Sequence, residues 1–291
     1  MNYKNETDRI CRFIKDYISQ IKKKGVVLGI SGGIDSAVVA VLAKRSLGAN
    51  AMKMYYLPEL SEPHNYDCLH IDKLCKRFDL RYEIFDIHSV LSAFGVFNNN
   101  VDNNNEYNYK IMTIANLKSR IRMCYLYMIA SEYNMIVIGT TNKSEMDIGY
   151  FTKYGDGGVD IEPIAHLYKT EVFNLAKYLD IPNCIVDKKP TAGLWENQFD
   201  EDEIGMSYKK LDDILEYINH NQITDIQSNY KDLHFYTDYD KDGNWVEDGY
   251  GMFTESELEH VINLIKNSAH KRNQIPHLEW SDHNGWYEKS I

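Results

Sequence analysis

Ser31, Gly32, Gly33, Asp35 and Ser36 lie within one short stretch and offer two hydroxyls, a carboxylate and backbone amides able to approach a ligand closely. Glycine permits a sharp turn there with no Cβ in the way. Just upstream, the residues from Val26 to Ile30 read as a buried strand, and just downstream AVVAVLAKRSL reads as a helix. Strand, tight loop and helix start together outline a phosphate cradle. The first amides of a helix are unpaired donors, and its dipole favours an anion. The loop has neither the G-K-[ST] of a Walker loop nor the three-glycine spacing of a dinucleotide fingerprint. Its plain alternative is a Gly-rich turn at any α/β strand end.

A second concentration of reactive groups begins at Thr140, in GTTNKSEMDIGYFTKYGDGGVDIEPIAHLYKTEV. Glu145, Asp147, Asp156 and Asp160 offer acceptors to a hard cation or a substrate hydroxyl. Lys143, Lys153 and Lys169 offer positive charge to phosphate. Taken singly, each is an ordinary surface charge; their density after a strand end is what folding alone does not explain. Lys169 at a helix start opposes the helix dipole, a placement that a nearby phosphate would account for.

The elements that must hold these groups follow from periodicity. Ile10, Phe13, Ile14, Tyr17, Ile18 and Ile21 predict one apolar face of a helix that stops between Lys22 and Gly25. After the loop and its helix, AMKMYYL predicts a second strand, a stretch with Leu69, Leu74 and Phe78 a helix, and RYEIFDI a third strand. Successive strand-helix-strand units imply a parallel sheet with right-handed crossovers, whose ligands gather at the carboxyl ends of the strands. A short helix fits His88 to Phe97, followed by the Asn-rich breaker NNNVDNNNEYN, read as a solvated loop. A long helix follows, carrying Arg120 and Arg122; two residues apart, they cannot share a face, so at least one serves packing or surface charge. Met135 to Gly139 predicts a further short strand, and helices are expected from about Lys169, around Leu211 to Ile218, and from Glu255 to Ile265. The acidic run Asp200 to Glu203 reads as a helix start or a solvated face. Between Asn219 and Met252 the chain turns acidic and aromatic without a period. Asp238, Asp240 and Asp242 open a calcium-loop spacing there, but Gly249 stands where a bidentate Glu is required, which favours a surface excursion or a partner-contact hairpin. Trp280 and Trp286 call for burial, on this chain or another.

At 291 residues and 44% hydrophobic, the chain can build one large α/β domain or two modest ones. A net charge of -11 argues against non-specific attraction to nucleic acid or anionic membrane. The N-terminus is polar, and no window is long and apolar enough to span a bilayer. Five scattered cysteines, with no CxxC pair, point to a reduced cytoplasm rather than a disulfide framework.

The loop resembles the SGGxDS pyrophosphate loop of the ATP pyrophosphatase group. Over nearly its whole length the chain resembles ammonia-dependent NAD synthetases, through LGISGGIDSAV, IGTTNKSE, GYFTKYGDGGVDIEPIAHLYKTEV, KKPTAGLWENQFDEDEIGMSY and the late HKR. Five motifs in the family's order make the match specific. The resemblance implies an open parallel sheet with helices on both faces, of the adenine nucleotide alpha hydrolase-like kind. It implies a single domain over 1–291, with an atypical excursion at 222–252 and a tail at 277–291. It also implies a reaction in which ATP, with magnesium, adenylylates the carboxylate of deamido-NAD, ammonia displaces AMP, and NAD and pyrophosphate are the other products. A homodimer with its dinucleotide site across the interface is expected, and neither nucleic acid nor membrane as partner.

By the same resemblance, Gly29, Ser31, Gly32, Gly33, Asp35 and Ser36 correspond to the ATP loop, with Asp35 and Glu145 at magnesium. Thr140, Lys169 and Thr191 match ATP contacts. Arg122, Lys153, Asp160, His270 and Lys271 match the deamido-NAD side, and Asp156 the ammonia end. Asp35, Lys169, Asp156 and Thr191 are the expected catalytic groups. Magnesium and Lys169 would balance charge on the phosphates, and Asp156 would take a proton from ammonium. Pro58-Glu59-Leu60-Ser61 departs from the family, where a serine commonly follows the proline, and could change the wall around adenosine. With 25 residues before the first strand, no attached glutaminase domain is expected ahead of the loop, so free ammonia is the expected donor unless a separate amidotransferase delivers it. A related ATP-using amide or thiol-transfer synthetase acting on another substrate, and a non-enzymatic nucleotide-binding protein, stand as alternatives.

Overall fold

The N-terminal helix α1 (Tyr3–Gln20) is capped by Asn2, whose side chain accepts from the Asn5 amide, and it buries Ile10, Ile14 and Ile18. Phe13, expected on that face, is 45% exposed. The buried stripe advances four residues at a time, and residue 13 falls about 100° to one side of it. The computed structural model describes residues 1–59, 66–97, 110–195, 198–223, 253–275, 278–281 and 285–288. After α1 come β1 (Val26–Gly29), α2 (Ile34–Leu47), β2 (Met52–Tyr56), α3 (Tyr66–Phe78), β3 (Glu83–Ile84), α4 (His88–Ala93), α5 (Ile111–Tyr133) and β4 (Ile136–Val137).

All pairings among these strands are parallel, in the order β3-β2-β1-β4. The chain therefore steps outward from β1 to β3 and then returns to the other side of β1. That reversal opens a crevice beyond the carboxyl ends of β1 and β4, the position where open α/β sheets bind ligands. Side chains alternate across the sheet. Val26, Leu28, Met54, Tyr56, Ile136 and Ile138 face one core with α1, α2 and α3, while Val27, Tyr55, Leu57 and Val137 face a second with α4 and α5. Helices thus cover both faces, as expected.

Two expected strands are shorter than their apolar runs. β3 is an edge strand whose ladder reaches only Tyr55 and Tyr56, although the Phe85 and Ile87 amides continue bonding to Tyr56 and Pro58. β4 ends at Val137, with Ile138 bridging Ile161 in parallel. On α3, Leu74 is buried but Leu69 is 56% exposed, five residues and more than a turn away on another face.

The remaining helices are α6 (Lys143–Ile148), α7 (Lys169–Tyr178), α8 (Asn183–Val186), α9 (Asp200–Ile204), α10 (Tyr208–His220) and α11 (Glu255–Arg272). α11 runs about two turns past its expected end, so His270, Lys271 and Arg272 form its last turn, where cations suit the dipole. Helices α6, α9, α10 and α11 share a third core around Leu211, Ile214, Leu258 and Val261. An antiparallel hairpin, β5 (Leu278–Ser281) and β6 (Gly285–Glu288), pairs Trp280 with Trp286 in its backbone register. The surroundings of those two side chains, the Asn-rich stretch, the calcium-like spacing and nearly all of the 222–252 excursion lie outside the described residues. Among the described residues no helix is long and apolar enough to cross a membrane.

Candidate active site

β1 ends where the Ile30 amide donates to the Tyr55 carbonyl, and the chain then turns at Gly32. Gly32 has φ +74°, and a Cβ there would meet Asp67 at 3.1 Å, so both conformation and space favour glycine. The Ser36 hydroxyl donates to the Gly33 carbonyl at 3.0 Å, and the Gly33 amide donates to Ser31 Oγ at 3.2 Å. The two serines hold the loop in shape while α2 starts at Ile34 with Asp35 in its first turn.

The opposite wall comes from the turn between β4 and α6. The Asn142 side chain caps α6 by accepting from the Glu145 amide, and the Glu145 carboxylate in turn accepts from the Asn142 amide, a complete capping box. The Asn142 side chain also donates to Asp35 Oδ1 at 2.9 Å, tying this turn to the glycine loop. Lys169, first residue of α7, lies between the two walls: its Nζ is 2.6 Å from Asp35 Oδ2 and 3.0 Å from Glu145 Oε1. Its side chain is 3% exposed. Burial alone would lower the Lys169 pKa, but the Asp35 and Glu145 carboxylates outweigh it and hold the ammonium above its ordinary range. Burial pushes Glu145 up to about 7 against the pull of that ammonium, with Asp35 adding to the rise. Two carboxylates thus converge on one cation.

These groups line a cavity of about 710 Å³. It gathers every site residue expected from the family resemblance except Gly32, which shapes the loop from behind, and Asp160; Lys143 and Asp147, also offered by type, pair with each other at 2.6 Å outside its lining. Asp160 instead accepts from the Val137 amide at 2.8 Å and the Tyr127 hydroxyl at 3.2 Å, outside the cavity lining. Arg120 and Arg122 both reach the cavity, although they lie on different faces of α5. Arg122 also packs, donating from Nε to the Leu57 carbonyl at 2.9 Å. At the far end, Asp156 accepts from the Ser119 hydroxyl at 2.6 Å and the Thr152 amide at 3.0 Å. Lys271 donates to the Gly149 and Phe151 carbonyls, both at 2.7 Å, and Lys153 to the His270 carbonyl, so the end of α11 is fastened to the 149–156 segment. Thr191 accepts from the Gly193 amide at 3.0 Å on the loop that roofs the cavity.

A family model described as NAD synthase matches residues 6–275. The chain belongs to the NAD synthase family. It is 45% identical over 219 residues to an NH3-dependent NAD+ synthetase of Thermoplasma volcanium, covering 75% of this chain and 85% of that one. To the enzyme of the same name from Archaeoglobus fulgidus it is 37% identical over 276 residues, covering 95% and 97%. Among solved structures, an NH3-dependent NAD synthetase of Campylobacter jejuni, in complex with nitrate, superposes with a TM-score of 0.73 at 29% identity, covering 96% of this chain and all of that one. An NMN synthetase of Francisella tularensis superposes with a TM-score of 0.75 at 31% identity, covering 94% and 98%. The fold is that of these NAD synthases.

Several groups in this NAD synthase site carry no role in the sequence reading. Glu59, at the departure noted after Pro58, is buried on the cavity wall and pairs with Lys118 at 2.6 Å. Lys118 also donates to the Leu194 carbonyl at 3.1 Å, so this wall is an ion pair holding the roof loop. Asp200 does start a helix, but it is buried rather than solvated, accepting from Tyr208 at 3.1 Å and Tyr150 at 3.2 Å. The Tyr208 ring lies under Lys169, 4.9 Å from its Nζ. Both residues fall inside the KKPTAGLWENQFDEDEIGMSY motif, which was the available signal; a tyrosine and one acid in a run of four gave no chemistry by type alone.

Proposed function

We infer that the chain is an ammonia-dependent NAD synthetase: it amidates the nicotinate carboxylate of deamido-NAD with ammonia, converting ATP to AMP and pyrophosphate. The observation that carries this reading is the convergence of Asp35 and Glu145 on Lys169 beside the Ser31–Ser36 loop, in one cavity with Asp156 and Lys271. In the first step a carboxylate oxygen attacks the α-phosphorus of ATP, the bond to the β-phosphate oxygen breaks, and pyrophosphate leaves. Lys169 and the loop amides balance the charge that grows on that leaving group. In the second step ammonia attacks the acyl carbon and AMP departs. Ammonia is ammonium at neutral pH, and Asp156, held by Ser119 and Thr152, accepts the proton that frees it. Thr191 and Thr140 contact ATP, and Arg122, Lys153, His270 and Lys271 serve the dinucleotide, the role first expected of Asp160 as well. Because Asp160 lies outside the cavity, its part is to hold the end of β4.

The residues present fit magnesium. Asp35 and Glu145, both in contact with Lys169 and both on the cavity lining, are two hard oxygen donors, and magnesium in phosphate chemistry needs one or two carboxylates beside the phosphates themselves. When bound there it would screen the triphosphate and polarise the α-phosphoryl group. The reading treats 1–291 as one domain and takes the protein to work as a homodimer across which the dinucleotide site is shared; α5, which leaves Ile111, Met112 and Met128 exposed, suits such an interface. Five unpaired cysteines suit a reducing, cytoplasmic setting.

The test is to quantify NAD, AMP and pyrophosphate from deamido-NAD, ATP, magnesium and ammonium. Stoichiometric formation of all three is expected, with Lys169→Ala reducing it by more than about a hundredfold. The Francisella neighbour, an NMN synthetase, makes nicotinate mononucleotide the second carboxylate to supply. Turnover of the mononucleotide alone, or of neither, sinks the deamido-NAD assignment.

A further inference from the structure

The geometry assigns to Asp212 of α10 a role in the reaction although it touches none of the reacting groups: with Ser144 it is the positioning residue that sets the start of α7 against the start of α6. Glu145 stands in the first turn of α6 and Lys169 is the first residue of α7, and the 149–168 segment separates the two helices. Their 3.0 Å approach therefore depends on how the two helix starts are joined. The joint is a three-part clamp. The Ser144 hydroxyl donates to Asp212 Oδ1 and accepts from the Lys169 amide at 2.8 Å, while Asp212 Oδ2 accepts from the Thr170 amide at 2.9 Å. Ser144 is fully buried and Asp212 is 4% exposed. The first amides of α7 would otherwise lack partners, because Tyr168 at the cap position has no short side-chain acceptor of the usual kind. Asp212 supplies that cap from another helix. In doing so it fixes the backbone of Lys169 on one side and, through Ser144, the residue next to Glu145 on the other. A carboxylate is required, because it accepts two donors at once; an amide would turn an N–H toward one of them.

This inference rests on the role of Lys169 in the proposed reaction, and the experiment separates the two. Ser144→Ala and Asp212→Asn are compared with Ile214→Val, a change on the same helix within the third core. Affinity for magnesium-ATP is measured by calorimetry and turnover by pyrophosphate release. Both clamp variants are expected to bind ATP more weakly and to turn over about 10- to 100-fold more slowly, the size of effect that small misplacement of a reacting group produces. Ile214→Val is expected to retain both while losing some thermal stability. In a Lys169→Met background, Ser144→Ala should cause no further loss of turnover, since both act through the same ammonium. The clamp assignment is overturned if Ser144→Ala stays within twofold of wild type in affinity and turnover, or if its losses equal those of Ile214→Val at equal stability. Should Asp212→Asn fail to fold, Ser144→Ala decides alone. Absence of NAD from the wild-type protein would defeat the substrate reading while leaving the ATP-affinity comparison intact.

Discussion

Glu162 shows how one residue can shape a site it does not line. Its Oε2 accepts from the Thr141 amide at 3.0 Å, and its carboxyl occupies the space beside Gly139, where a Cβ would fall 2.4 Å away. Oε1 is buried with no hydrogen-bond partner among the described residues. Burial pushes the group up to about 8, against the Thr141 bond that favours ionisation. Because the folded pKa exceeds the ordinary 4.5, the native state binds the extra proton, and its contribution to stability is complete below about pH 4.5 and lost as pH rises through 8. Glu162→Gln should therefore flatten the decline of stability across that window while changing little at acid pH; denaturant midpoints at a series of pH values would check it, and an unchanged slope would refute it. Sequence reading found the residues whose types declare chemistry, such as Asp35, Glu145 and Lys169. It passed over Glu162, Asp212 and Tyr208, because a buried acid and a surface acid look alike until partners from distant segments are in place.

At the level of elements, the strand, loop and helix around Ser31 were legible because glycine, hydroxyl and apolar periodicity agree over adjacent residues. The loop's strain is local and testable. Replacing Gly32 by Ala puts a side chain in the left-handed region, at a cost of about 1–2 kcal/mol, and brings it against Asp67. We expect a lower denaturation midpoint with unchanged denaturant dependence, and a raised KM for ATP with a smaller change in kcat; an unaltered KM would mean the loop does not meet ATP. Lengths were less legible than identities. RYEIFDI is apolar enough for a longer strand, yet β3 is regular over two residues only, at the edge of the sheet, with the Phe85 and Ile87 amides continuing to bond beyond it. The last two turns of α11, from about residue 266, were missed, and HKR at their end looked like a basic cluster rather than helix. Edge pairing and terminal turns are decided by tertiary contact, which periodicity does not contain.

Across the whole molecule, the order β3-β2-β1-β4 places the crevice, and three cores surround it. α5 forms one wall and also carries an exposed Met128, 56% accessible. If the protein pairs through that helix, Met128→Glu should convert the dimer to monomer in sedimentation velocity and depress turnover with the dinucleotide; a dimer that persists would move the interface elsewhere. The separate packing of the third core has a consequence in time as well as in space. The third core contains no strand residue, so we expect helices α9, α10 and α11 to open as a unit without unpairing β1. Each such opening takes Tyr208 and Asp212 away from α7, and the ammonium of Lys169 then loses its support. Amide exchange in α10 would thus report a clock for the enzyme, the interval for which the site stays assembled between one breath and the next.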